Sequence, residues 1–193
     1  MRPVDEERKV RGGGDSIAVK TAKKREALGE AALFEYAVGA LARRMRTEHE
    51  LRRLLIARAA EGEAGGQAID AVVVKLKEMR YLSDARFAAD YSRLRKDNQK
   101  QGRRRVAQDL AAKGVARGVV ATQVGEAYAE VDEVALAREY IARKRMRRPE
   151  GANAQKEQAR AMGRLLRAGF SAGTVWKVLR EWGVEAEEFE VEE

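Results

Sequence analysis

Residues 105–115, RVAQDLAAKGV, recur as residues 160–170, RAMGRLLRAGF, and that recurrence decides the fold. At a constant offset of 55, Leu110 falls on Leu165, Gly114 on Gly169 and Val115 on Phe170. Moving back by the same 55 places Leu110 on Leu55, within LRRLLIARAA at residues 51–60, where the pattern is weaker and Ala59 stands for the glycine. A second string precedes each copy: an apolar residue, a few small residues, an aromatic or Val, then Arg and Lys. It occurs at residues 34–44, 87–96 and 136–145. One helical unit used three times, each copy with its own basic cluster, suits a long, anionic or filamentous partner better than one small substrate.

Composition points the same way. The chain is 45% hydrophobic and 36% charged, with 6% aromatic residues and two Pro, a balance that favours helices with wide solvated faces and thin cores. With no Cys, disulfides and thiolate chemistry are excluded. No apolar run is long enough to span a bilayer, and the N-terminus lacks the apolar core of a signal peptide, so a cytoplasmic protein without membrane contact is expected. The formal charge of +8 is unevenly spread: residues 184–193 hold six acidic groups and no basic one, whereas residues 28–183 are +11. Such an excess attracts polyanions, nucleic acid or an acidic protein surface, although charge alone is equally explained by solubility.

Residues 1–27 have no sustained apolar period and are expected to form a disordered arm. A first three-helix unit is expected over residues 28–80. Its helices carry Leu33, Phe34, Ala37, Val38, Leu41 and Met45, then Leu51, Leu54 and Leu55, then Ile69, Val72, Val73, Leu76 and Met79. Thr47 three residues before Glu50 is a capping box, and the glycines of residues 62–66 are read as a break. The second unit, residues 81–130, opens with Ser83 as a cap and turns Phe87, Ala88, Tyr91 and Leu94 inward. Its second helix stops at Lys113 and a left-handed Gly114. The third unit, residues 131–183, carries Val134, Ala137, Tyr140 and Ile141, then Met162, Leu165 and Leu166, then Val175, Trp176, Val178, Leu179 and Trp182. Asn153 and Ser171 are its candidate caps. The expected fold is all-α: three tandem three-helix units forming an elongated, curved repeat protein, closed by an acidic tail at residues 184–193. Units of about 50 residues bury too little apolar surface to stand comfortably alone, so neighbours should lean on one another.

Catalysis has little to work with. His49 is the sole histidine and has no second imidazole for a metal site or proton relay. Asp84 and Asp90 sit where a helix first turn or a solvated face explains them, and the glycines of residues 12–14 lack the following Lys-Ser/Thr of a phosphate loop. No enzyme activity, cofactor or metal is expected.

The remaining candidates are basic: Arg43 and Arg44; Arg93, Arg95 and Lys96; Arg103, Arg104 and Arg105; Lys113 and Arg117; and Arg143, Lys144, Arg145, Arg147 and Arg148. Helix C-termini favour cations, which accounts for part of each cluster but not for the repetition. The triplet Arg103, Arg104 and Arg105 opens a helix, where the dipole disfavours positive charge, so it is the first choice for a partner surface. Residues 105–124 also mimic a helix-turn-helix, but RGVVATQV offers few side chains able to contact base edges.

Residues 81–91, YLSDARFAADY, and residues 102–115, GRRRVAQDLAAKGV, resemble the RecX family, bacterial regulators of the recombinase RecA. The resemblance rests on the string Leu-x-Asp-x-x-Phe-Ala-x-x-Tyr followed by Gly-x-x-Arg-x-x-x-x-Leu-x-x-Lys-Gly, and extends more loosely from Leu33 to Leu179. Ser83 stands where many members are acidic. The arm, the tail and residues 61–67 fall outside it. The resemblance implies a modular helical protein that binds along the groove of the RecA–DNA filament and restrains ATP hydrolysis, strand exchange and co-protease function; a monomer that touches DNA directly or through the filament is expected. The competing reading is a basic helical repeat that binds DNA or RNA directly.

Overall fold

The computed structural model describes residues 27–183; the expected N-terminal arm, but for its last residue, and the acidic tail lie outside the described residues. Nine α-helices and one 3-10 turn account for the regular structure among them. They are α1 (Glu30–Arg43), α2 (Glu48–Ile56), α3 (Glu63–Glu78), α4 (Asp84–Gln99), α5 (Arg103–Ala112), α6 (Arg117–Ala127), α7 (Glu133–Arg143), α8 (Ala154–Arg167) and α9 (Ala172–Glu181).

The repeat is structural as well as sequential. In each group of three, the first helix packs on the third and the second on the third: α1 and α2 on α3, α4 and α5 on α6, α7 and α8 on α9. Leu55, Leu110 and Leu165 are all completely buried, and Gly114 and Gly169 both take a positive φ, +79° and +96°. Caps set the helix starts. Thr47, Ser83, Asp132 and Ser171 each accept a backbone N–H of the following first turn.

Two apolar clusters form the core. Leu33, Leu51, Leu55, Val72, Val73, Leu76 and Leu82 fill the first, between α1, α2 and α3. The second runs unbroken from Phe87 through Leu110, Tyr140 and Phe170 to Leu179, so the second and third groups share their interior.

Local departures from the sequence reading have simple causes. Leu94 is 55% exposed while Ser92, two positions earlier, is fully buried, because α4 packs against α6 with Phe87, Ala88 and Ser92 on its buried side. Met45 and Met79 are exposed because α1 and α3 end before them, and Leu166 lies on the outer side of α8. Gly65 and Gly66 are inside α3 rather than in a break: Gly65 is buried where a Cβ would overlap the Ala60 carbonyl, so the chain re-enters the helix in close contact with the preceding loop. Asn153 makes no side-chain cap, the 3-10 turn Gly151–Asn153 leading straight into α8.

The groups are joined end to end. The C-terminal turn of α8 abuts the N-terminus of α5, where the Ala168 carbonyl accepts from the Gly102 amide at 2.9 Å and the Gly169 carbonyl from the Arg104 amide at 3.2 Å. The C-terminal turn of α5 abuts the N-terminus of α2 in the same way, the Thr47 hydroxyl donating to the Lys113 carbonyl at 2.7 Å. The 102–168 contact is the 47–113 contact shifted by 55 residues, with a backbone amide in place of the threonine hydroxyl, whereas the 104–169 bond has no counterpart between His49 and Gly114. Orphan carbonyls of one helix thus meet orphan amides, or their cap, on the next. The stack α8, α5, α2 runs against chain order, and at a rise of about 1.5 Å per residue its helices sum to about 50 Å, which makes the repeat an extended one.

Candidate functional site

The joint between α5 and α2 is a polar clasp. Lys113 Nζ donates to Glu50 at 2.7 Å, and the Glu48 amide donates to Asp84 at 2.8 Å. Burial alone raises the Glu50 carboxyl, but the hydrogen bond and charge of Lys113, with the charge of Arg44, outweigh it and hold the group below its usual range. Gly114 packs on His49 so closely that a Cβ there would come within 2.4 Å of the imidazole-bearing Cβ.

Beside this clasp the structure gathers several of the candidate cations around one ring. Tyr91 stacks on Phe87 with centroids 5.8 Å apart. The Arg95 guanidinium lies 4.7 Å from the Tyr91 centroid, and Lys113 Nζ 5.9 Å from it. The Tyr91 hydroxyl donates to Asp109 at 3.1 Å, and Asp109 pairs through its other oxygen with Arg105 at 3.0 Å. Burial pushes the Tyr91 hydroxyl up, Arg95 opposes the shift and Asp109 adds to it, so the phenol stays protonated at neutral pH. Arg95, Arg105 and Lys113 therefore share a half-exposed aromatic platform. The sequence reading has Tyr91 only as a core residue; its place four residues before Arg95, at helical spacing, is the signal that connects them.

The triplet Arg103, Arg104 and Arg105 is exposed, as its proposed role requires. The dipole argument for it does not survive, because the carbonyl end of α8 sits on the α5 N-terminus and supplies the opposite partial charge. Glu133 adds to that. Its carboxylate, raised by burial but lowered more by hydrogen bonds from Ser171 and Thr174, also feels the charge of Arg104.

Other candidates are engaged within the fold. Lys96 Nζ donates to the Ala127 carbonyl at 3.0 Å and so caps α6, and Arg93 pairs with Asp90 at 2.7 Å. Arg43, Arg44 and Arg117 are exposed at helix ends. The segment 143–148 lies at the far end of α7: Arg143, Lys144, Arg145, Arg147 and Arg148 are all exposed, Lys144 reaches over Tyr140 at 5.8 Å, and Arg148 lies against Gly183 beyond α9. It is a separate basic surface from the one around Tyr91.

Among the described residues no group of three or more His, Asp and Glu is placed to hold a metal ion, and no helix is long and apolar enough to cross a membrane.

Comparison with known proteins adds identity to this geometry. The family profile described as RecX, second three-helix domain, matches residues 83–122, which include the Tyr91 platform. The regulatory protein RecX of Myxococcus xanthus is 31% identical over 181 residues, covering 88% of this chain and 96% of that protein. The regulatory protein RecX of Geobacillus kaustophilus is 34% identical over 160 residues, 82% of this chain but 57% of that longer protein, so the chain spans less than two thirds of the Geobacillus relatives. Among solved structures, RecX from Lactobacillus salivarius matches with a TM-score of 0.58 at 19% identity over 80% of this chain and 96% of its own. A structure of regulatory protein RecX matches at 0.63 and 20% identity, over 79% and 73%. At that identity the likeness is one of fold.

Proposed function

The chain belongs to the RecX family, and we propose that it is a regulator of RecA that binds along the RecA–DNA filament and restrains its recombinase, ATPase and co-protease activities. In this reading the three helical groups, residues 28–80, 81–130 and 131–183, are the binding units, the protein acts as a cytoplasmic monomer without catalysis of its own, and DNA is touched directly or through the filament. The observation that carries it is the joint repeated at an offset of 55, which sets like units in line along an extended stack. A filament presents the same surface at regular intervals, and a protein built at regular intervals can follow it. The contact residues in this proposal are Arg95, Arg103, Arg104, Arg105 and Lys113 around the platform, with Arg43, Arg44, Arg93, Lys96 and Arg117 at flanking helix ends and residues 143–148 at the far end.

The test is a titration of the purified protein into a RecA ATPase assay on single-stranded DNA. Changing Arg103, Arg104 and Arg105 together to Ala should leave the helical fold in place and raise the protein needed for half-inhibition at least roughly tenfold, equivalent to about 1.4 kcal/mol. Full inhibition by the folded triple variant would remove these residues from the surface and shift attention to residues 143–148. The reading as a direct DNA or RNA binder is favoured instead if the wild-type protein inhibits only at concentrations that coat the DNA.

A further inference from the structure

The outward side of α8 carries a second basic feature that neither the sequence clusters nor the Tyr91 platform includes. Lys156, Arg160, Arg164 and Arg167 recur one per turn on the side opposite Ala161 and Leu165, which point into the core. All four are exposed, and among the described residues none of them takes part in an ion pair. The one acidic residue of α8, Glu157, lies off this line and pairs with none of them.

Folding gives no reason for the arrangement. Like charges one turn apart work against a helix, and here three consecutive pairs do so. Lys156 stands in the first turn of α8, where the dipole disfavours it. Arg164 and Arg167 stand at the carbonyl end, but that end is bonded to the amides of α5, so the usual gain from a cation there is reduced. A solubilising face would mix both signs. Gly163 sits in the middle of the line, and the Arg167 guanidinium folds over it, 3.2 Å from where a Cβ would stand. Glycine there weakens the helix and leaves room for that guanidinium.

We propose that this side of α8 is a track for a nucleic-acid phosphate backbone, bound without regard to base sequence and without any protein partner. Regular cations over about 17 Å of helix suit a polymer whose charges are themselves regular. Three of the four are Arg, whose planar fork takes phosphate oxygens in pairs. No aromatic or large apolar side chain lies on the line to form the dry centre that a protein interface needs, whereas backbone contacts to nucleic acid need none. The track ends where α8 meets the α5 N-terminus, with Gly169 against Arg105, so a strand laid on α8 is delivered to the triplet Arg103, Arg104 and Arg105. The inference rests on that part of the proposed function in which DNA is touched directly and names the surface that touches it, and its test needs no recombinase present.

The experiment measures binding of labelled oligo-dT, and of a mixed-sequence strand of the same length, by the wild-type chain and by a variant with Lys156, Arg160, Arg164 and Arg167 all changed to Gln. No RecA is added. Each lost phosphate contact should reduce the slope of log affinity against log salt by about 0.7, up to about 2.8 for all four. The advantage of the wild type should then shrink by up to roughly fifty-fold between about 50 mM and about 200 mM salt, equally for both strands. If the quadruple variant loses its helical signal, Arg160→Gln alone, on the exposed side, should still lower the slope by about 0.7. An unchanged slope in a folded variant overturns the proposal. So does retention of DNA binding with loss of binding to polyglutamate or to RecA, which would make α8 a protein-binding surface. Failure of RecA inhibition with the slope change intact would refute only the proposed regulatory function.

Discussion

Replacing Gly169 by Ala should be among the most damaging single-methyl changes in the protein, and the structure says why. Gly169 has φ +96°, and a Cβ there would lie 2.3 Å from the Arg105 amide nitrogen, 2.6 Å from the Arg105 Cβ and 2.7 Å from the Gly102 carbonyl oxygen. Two of those atoms are backbone and the third is fixed to it, so no side chain can swing aside. Left-handed geometry costs a residue with a Cβ about 1–2 kcal/mol. Prising α5 off α8 also breaks the bonds from Gly102 to Ala168 and from Arg104 to Gly169, at about 0.5–1.5 kcal/mol each. The total is about 2–5 kcal/mol, a large part of the roughly 5–15 kcal/mol that holds a domain folded. Gly151 provides the reference, since its φ is +71° but nothing lies within 4 Å of a Cβ built on it. Gly151→Ala reports strain alone, and the difference between the two variants isolates the joint. Urea unfolding followed by helical circular dichroism should show the Gly169→Ala midpoint lower by about 1–2 M. If Gly169→Ala costs no more than Gly151→Ala, the joint does not couple the groups and the account of the stack is wrong.

Leu110→Ala should cost about 2–5 kcal/mol, because Leu110 is fully buried in the shared second core, and an unchanged thermal melt would contradict that. The carboxyls of Glu48, Glu50 and Glu133 are held below the ordinary value of 4.5 by their partners against burial. Their contribution is therefore complete above the unfolded value and is lost as pH falls through the lower folded values, so the urea midpoint should drop between neutral pH and about pH 3. Glu133→Gln should reduce that drop, and an equal drop in this variant would remove Glu133 from the explanation. Deleting residues 184–193 should tighten DNA binding at low salt, since the acidic run begins at Glu185, two residues beyond Gly183, against which Arg148 lies; the gain should fade at high salt, and no gain at low salt would leave the tail without that role.

The helical architecture was legible because its cause is periodic. A leucine buried once per unit and a glycine forced into the left-handed region recur at a fixed offset, and both are properties a residue type declares by itself. Ser83, Ser171 and Thr47 were legible as caps for the same reason. What could not be read was which helix end meets which. Thr47 serves as a cap in the sequence, yet its hydroxyl also closes a joint to Lys113, 66 residues away. Leu94 reads as a core residue by hydropathy, but the close approach of α4 to α6 decides in favour of Ser92.

The site was less legible than the fold, and the reason is geometric. Cations adjacent in the sequence point to different sides of a helix. Lys96 is therefore spent on the α6 terminus while its neighbour Arg95 lies on Tyr91. Cations three or four apart, as in α8, look scattered in the sequence and line up only when the helix is formed.

The end-to-end joints also explain why exposed arginine is so abundant in this fold. In an ordinary bundle each helix terminus needs caps and compensating charges, and much of the surface charge serves them. Here the carbonyl end of α8 satisfies amides of α5, and the carbonyl end of α5 meets the Thr47 cap of α2, so two of the three groups pass their terminal partial charges to a neighbour. Cations beside those joints are released from that duty. Lys113 is the exception that fits the rule, since its partner Glu50 has no counterpart at the other joint, where Arg105 and Ala168 occupy the equivalent positions and backbone meets backbone directly. The joint that dispenses with an ion pair between helices has Arg103, Arg104 and Arg105 on one side and Arg164 and Arg167 on the other, all exposed, with Arg105 paired to Asp109 of its own helix. A single device, helix stacking at a glycine, therefore both extends the repeat and gathers exposed positive charge where the extension occurs.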